Sequence, residues 1–165
     1  MLMNAMNKAD NNEQGQPLNT IDIQYACSAD WLPEEAEITR WAETALQDQS
    51  VESELGVRLV DEEEGKQLNQ QWRQGKTATN VLSFPADIEL DFEPRLLGDV
   101  VICIPVIERE ALAQGKTPIN HLAHMVIHGT LHLIGYDHIE DKQAEHMEAM
   151  EIQLLKSLNI DNPYN

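Results

Sequence analysis

Apolar and polar residues alternate over Thr20–Cys27, where Ile21, Ile23 and Tyr25 interleave with Asp22 and Gln24. That period of two predicts a half-buried strand. After Pro33 the period changes. Ile38, Trp41, Ala42, Ala45 and Leu46 recur at helical spacing and predict a helix with one buried stripe. Leu55, Val57 and Leu59 alternate again as a second strand. Asp61 with Glu64 reads as a capping box opening a second helix, which turns Leu68 and Trp72 inward and reaches Arg73. Thr79–Ala86 reads as a third strand ending at Pro85, Asp87–Leu97 as an acidic loop, and the almost wholly apolar Gly98–Ile104 as a central strand.

Pro105 opens a third helix that runs to Gln114. Thr117 and Pro118 supply the N-cap and first-turn residues of a fourth, buried through Ile119, Leu122, Val126, Ile127 and Leu131. A last helix runs to Leu158 on Met147, Met150 and Leu154. The order β-α-β-α-β-β-α-α-α predicts an α+β fold: a single mixed β-sheet of about four strands with helices packed on it. The polar, Asn- and Gln-rich residues 1–18 read as a disordered leader, and residues 19–160 as a single domain.

The fourth helix is apolar apart from its histidines, so it belongs in the centre of the fold, and it carries the chemistry. His128, His132 and His138 stand at the spacing H-x3-H-x5-H. Imidazole is a good zinc ligand, and a catalytic Zn²⁺ takes three protein ligands and leaves a fourth position to water. His128 and His132, four residues apart, share a helix face. His138 would point about 120° away if the helix continued. The helix must therefore stop between them, and Gly135 is the residue that stops helices without steric cost. His124 lies one turn earlier on the same face. It is too far from His132, about 12 Å along the axis, to share one ion with it. It is left as a supporting, solvent-facing or substrate-facing residue. His121 and His146 carry no spacing signal and are taken as surface residues. Asp137 either accepts an N–H from a ligand imidazole or simply forms the turn.

Three neutral imidazoles leave the ion at +2, which brings the pKa of a bound water toward about 7 and suits hydrolysis. The spacing is also zincin-like, that of H-E-x-x-H-x-x-G-x-x-H peptidases, but Gly129 stands where those carry the general-base Glu. Composition narrows the partners. There are 11 basic and 29 acidic side chains, a net charge of −18, so the surface as a whole does not attract polyanions. Nucleic acid would have to be met locally, with the metal's help. Cys27 and Cys103 form no C-x-x-C pair, and no apolar stretch is long enough for an export signal or a membrane span. A reducing cytoplasm is the default compartment.

The stretch HGTLHLIGYDH at 128–138 resembles the signature of the YbeY family, bacterial zinc-dependent endoribonucleases of ribosomal RNA maturation. LNQQWRQGKTATNVLSFP at 68–85, LLGDVVIC at 96–103 and HLAHMVIH at 121–128 also match, so the resemblance runs from about Ile21 to Leu158. It implies one Zn²⁺ on His128, His132 and His138, and it places the family's functional arginine on Arg73. It implies a single-strand-specific endoribonuclease of small-subunit ribosomal RNA 3′-end maturation and ribosome quality control. The partners it implies are ribosomal RNA and the ribosome or its proteins, with neither DNA nor a membrane. Asn80 departs from the pattern, which more often has Asp there. Arg73 suits the role chemically, because a guanidinium grips phosphate oxygens as a fork. Lys66 and Lys76 flank it, in the least acidic neighbourhood of the chain. Two rival readings are a metallopeptidase, which Gly129 speaks against, and a non-catalytic ribosome-assembly factor with a structural zinc.

Overall fold

Strand β2 (Ser53–Val60) shows how the alternation builds the sheet. Leu55, Val57 and Leu59 are at most 2% exposed and join the larger core on one face, while Val60 joins a smaller cluster on the other. The computed structural model describes residues 18–86 and 94–165. The leader expected over 1–18 therefore lies outside the described residues except for Leu18, and so do residues 87–93 of the acidic loop expected over Asp87–Leu97.

The sheet has four strands in the order β1-β2-β4-β3, with β1 at Thr20–Ala26, β3 at Val81–Pro85 and β4 at Arg95–Cys103. β1, β2 and β4 run parallel, and β3 returns antiparallel against β4, Ser83 opposite Val100. Five helices accompany it among the described residues: α1 (Glu35–Ala45), α2 (Glu62–Arg73), α3 (Ile104–Gln114), α4 (Pro118–Leu133) and α5 (Asp141–Ser157). This is the mixed α+β arrangement expected. None of these helices is long and apolar enough to cross a membrane.

Helix α4 is the centre. Thr117 Oγ1 accepts the Asn120 N–H at 3.1 Å and Pro118 takes the first turn, so the predicted start holds. Leu122, Ala123, Val126, Ile127 and Leu131 are at most 1% exposed and meet α1, α5 and the sheet in one core. Burying several such side chains, at roughly 1.5–3 kcal/mol each, locks the helix in place. Ile119, expected inside, is 42% exposed because it lies in the first turn, at the edge of this contact.

Three other expectations change. β4 begins at Arg95, not Gly98. Arg95 donates its N–H to Glu52 O at 2.8 Å, and a register shift at Leu97 carries Leu96 on against β2. The exposed Arg95 and Leu96 hide that start from any hydrophobic pattern. Asp61 makes no side-chain cap bond. Glu64 instead grips Arg58 Nε and Nη2 at 2.6 and 2.9 Å. Trp72 is 58% exposed: Leu68, one turn earlier, packs on the second cluster, while Trp72 only meets Phe84 edge-on at 6.5 Å.

Gly129 lies where α4 approaches the sheet. A Cβ there would stand 2.5 Å from Val100 Cγ1 and 3.2 Å from Val81 Cγ2. Val100 is fully buried and cannot swing aside. Gly129→Ala should therefore push the helix off the sheet and cost about 1–3 kcal/mol. Urea denaturation checks this; unchanged stability would mean that the helix yields freely.

Candidate metal centre

The last turn of α4 aims two imidazoles at one point. Ile134 closes the helix, and Gly135 follows at φ +108°, the positive value expected of a glycine stop. Tyr136 N–H then returns to Leu131 O at 3.0 Å. This turn presents the Tyr136 carbonyl to His132 Nδ1 at 2.9 Å. A carbonyl only accepts, so Nδ1 carries the proton and His132 Nε2 keeps its lone pair. His128 is fixed the same way. Its Nδ1 lies 3.2 Å from Glu151 Oε1, a carboxylate acceptor, which leaves Nε2 bare.

The two bare nitrogens, His132 Nε2 and His128 Nε2, are 3.1 Å apart. With both protons committed to Nδ1, no hydrogen bond joins them, and two lone pairs face each other. Four-coordinate geometry at about 2.05 Å per bond separates ligand nitrogens by roughly 3.3 Å, so the pair has the spacing a shared cation needs. The turn through Tyr136 and Asp137 brings His138 back beside them. Its ring centroid lies 4.9 Å from that of His132 and 5.7 Å from that of His128. Donor atoms of all three histidines fall within 4.8 Å of one another. Burial, and then the neighbouring His128 and His138, push the His132 pKa down, which keeps that ring neutral and able to ligate.

A second group, His124, His128 and Glu151, also lies within 4.8 Å. Hydrogen bonds through Glu151 already join its members, although His124 Nδ1 is buried without a partner. Glu151 Oε1 receives His124 Nε2, His128 Nδ1 and, at 3.0 Å, the Tyr164 hydroxyl. Burial alone would raise the Glu151 pKa; the hydrogen bonds from His124 and His128 outweigh it and hold the carboxyl down to about 2. Burial and the Glu151 charge push the Tyr164 hydroxyl upward. The first group sets two unprotonated nitrogens at the spacing of ligands to one ion, while in the second a carboxylate stands between the two rings.

Glu151 was not read from the sequence. It lies 23 residues from His128 on another helix, one carboxylate among 29 acidic residues. Asp137 fills the turn role: its Oδ1 accepts the His138 backbone N–H at 2.8 Å. His124, at 6% exposure, is not solvent-facing and reaches His128 through Glu151. His121, expected at the surface, is buried. It is 3% exposed and bonds Glu110 at 2.9 Å, because its side of α4 packs against α3. Asn80 donates to the same Glu110 oxygen at 3.0 Å, a place where an aspartate would face a second carboxylate. His146 is exposed and stacks on Tyr136 at 5.5 Å.

Arg73 reaches this cleft from the other side. Gln74 at φ +57° ends α2, and Gly75 N–H caps Asn69 O at 3.0 Å, which turns the chain toward β3. The Arg73 Nη2 donates to Ser83 O at 2.6 Å, and its guanidinium carbon lies 5.3 Å from the centre of the Phe84 ring. Arg73, Asn80, Ser83, His128, His132 and His138 line one cleft of about 560 Å³ between β3 and the end of α4. Ser83 Oγ donates to Gly129 O at 3.0 Å and braces the two walls.

Known proteins resemble this chain along most of its length. The profile of the family described as Endoribonuclease YbeY matches residues 24–159. Endoribonuclease YbeY of Stutzerimonas stutzeri (strain A1501) is 59% identical over 145 residues, 87% of this chain and 90% of the relative. That of Pseudomonas syringae pv. syringae (strain B728a) is 54% identical over the same length, 87% of each. The solution structure of TM1509 from Thermotoga maritima superposes with a TM-score of 0.54 at 27% identity, covering 88% of this chain and 96% of that one.

Gly135 is the residue on which the turn depends. A Cβ there would meet nothing within 4 Å, so any penalty is one of backbone conformation. Gly135→Val should cost more than about 1 kcal/mol from the positive φ and displace His138. Thermal melting, with the His138 ring shifts followed by NMR, checks this; unchanged shifts and stability would show that the turn tolerates a side chain.

Proposed function

The chain belongs to the YbeY family of endoribonucleases, and from that premise we propose that His128, His132 and His138 hold one Zn²⁺ and Arg73 binds the scissile phosphate of a single-stranded RNA. The substrate we propose is small-subunit ribosomal RNA at its 3′ end, met in the cytoplasm on or near the ribosome, with a part in ribosome quality control. Residues 19–160 act as one domain. One observation carries the reading of the site: the three histidines and the one arginine line the same cleft.

When bound, the ion would supply Lewis acidity toward a phosphoryl oxygen and make a water more acidic. The chain's own groups do the rest. Glu151 and the Tyr136 carbonyl hold the imidazoles of His128 and His132 in the tautomer that ligates. Arg73 commits one N–H to Ser83 O and keeps further donors for phosphate oxygens. A phosphodiester gains negative charge as it is cleaved, and a fixed guanidinium neutralises that charge without reorganising. Gly129 points its missing side chain at Val100, so no general base stands at that position, in keeping with phosphodiester rather than peptide cleavage.

Metal analysis tests the ligands. Purified protein should carry about one Zn²⁺ per chain, and His128→Ala, His132→Ala and His138→Ala should each abolish it. His124→Ala should keep it, and Glu151→Gln should weaken affinity by about 10–100-fold. Metal lost from His124→Ala but kept by His138→Ala would move the ion to the second group.

Arg73→Ala should keep the zinc and lower cleavage of single-stranded RNA by about 10²-fold or more. Arg73→Lys should recover only part, because an ammonium cannot grip two oxygens as a fork. Full cleavage by Arg73→Ala would reject the role.

A further inference from the structure

A second groove, of about 780 Å³, lies behind Arg73 on the opposite face of the sheet. Arg73 and Pro85 line both cavities, so the groove begins where the metal cleft ends. Its walls carry Trp72 and Phe84, and its floor carries Gln24, Arg58, Glu64 and Asp99. Trp72 is 58% exposed beside Phe84, with ring planes at 74°. Trp72 thus leaves an indole open to a partner in a groove that adjoins the metal cleft.

The groove is not built for phosphates. Arg58 spends its guanidinium on Glu64 and on Gln24 Oε1 at 2.7 Å, and Asp99 adds a negative charge. It offers aromatic faces, a carboxylate and a half-open volume of nucleotide size. Bases stack on such faces whatever their sequence, and carboxylates accept from base amino groups.

We infer that this groove is a base-binding subsite for the RNA: the nucleotide next to the phosphate held by Arg73 swings its base over the edge at Pro85 and stacks on Trp72. The inference rests on the endoribonuclease reading and deepens it. Only an unpaired base can be splayed out in this way, so the subsite gives a physical source for single-strand preference. It also relieves an electrostatic problem. Stacking needs no excess of positive charge, and this acidic surface has none to give.

Zinc-loaded protein tests it with a short 2′-O-methylated single-stranded oligonucleotide for binding and an unmodified single strand for turnover. Trp31 and Trp41 do not line the groove, and Trp41 is 1% exposed, so quenching of tryptophan fluorescence on binding should report Trp72. Trp72→Ala should raise Kd and KM by about tenfold, the order expected from losing one stacked base. Zinc content should not change, and kcat should fall less than KM rises. Trp72→Phe should restore most of the affinity and lose the quenching. An unchanged Kd and KM in Trp72→Ala, or quenching that survives in Trp72→Phe, overturns the subsite and leaves this face to a protein partner. Wild-type protein that binds and is quenched but cleaves nothing overturns the endoribonuclease reading instead.

Discussion

Two imidazole lone pairs held face to face, 3.1 Å apart, are the constraint around which this molecule is arranged. Left alone, such a pair is repulsive. It persists because each ring is tied from behind, one by Glu151 and the other by the Tyr136 carbonyl, and because the helix that carries both is buried on all sides but one. Each tie comes from a different part of the chain. The carbonyl is delivered by the helix stop at Gly135, the carboxylate by α5. The site is therefore assembled by the fold and not by the motif alone.

The same helix explains the sheet. α4 approaches β3 and β4 closely because Gly129 removes a side chain at the contact, and Ser83 Oγ then reaches the Gly129 carbonyl. β3 is drawn into the wall of the cleft. It carries Ser83, whose own carbonyl anchors Arg73, and Phe84, over which the guanidinium lies. One close helix–strand approach thus sets the distance between the histidines and the arginine.

What the sequence made legible is what acts locally. Thr117 and Pro118 marked the start of α4, Gly135 its end, and the histidine spacing the cluster, because caps, stops and helical faces depend on residues within a few positions. The element order and the mixed sheet followed from changes of period. What stayed hidden depends on neighbours distant in sequence. Glu151 looks like any other acidic residue of α5 until α5 packs on α4. His121 looks polar and exposed until Glu110 arrives from α3. Trp72 follows Leu68 by four residues and shares its face, yet the sheet covers one and not the other. Periodicity identifies a face but not how far its cover extends.

The resemblance to a peptidase helix ends where the edge strand begins. A strand beside a metal site is a ready template for an extended peptide, because an edge presents unpaired carbonyl and amide groups. Here Arg73 occupies one of those acceptors, Ser83 O, at 2.6 Å. The group that takes up a peptide-binding position also brings a fixed positive charge to the cleft. Gly129, in turn, faces Val100 and not the histidines, so a longer side chain at that position would collide with the core before it could reach a water. Both changes act in the same direction. They remove an anchor and a base that peptide hydrolysis needs, and they set a guanidinium where the proposed phosphodiester cleavage would use one. The zincin-like spacing of the histidines describes how this chain would hold an ion, and the residues around them decide which bond that ion would act on.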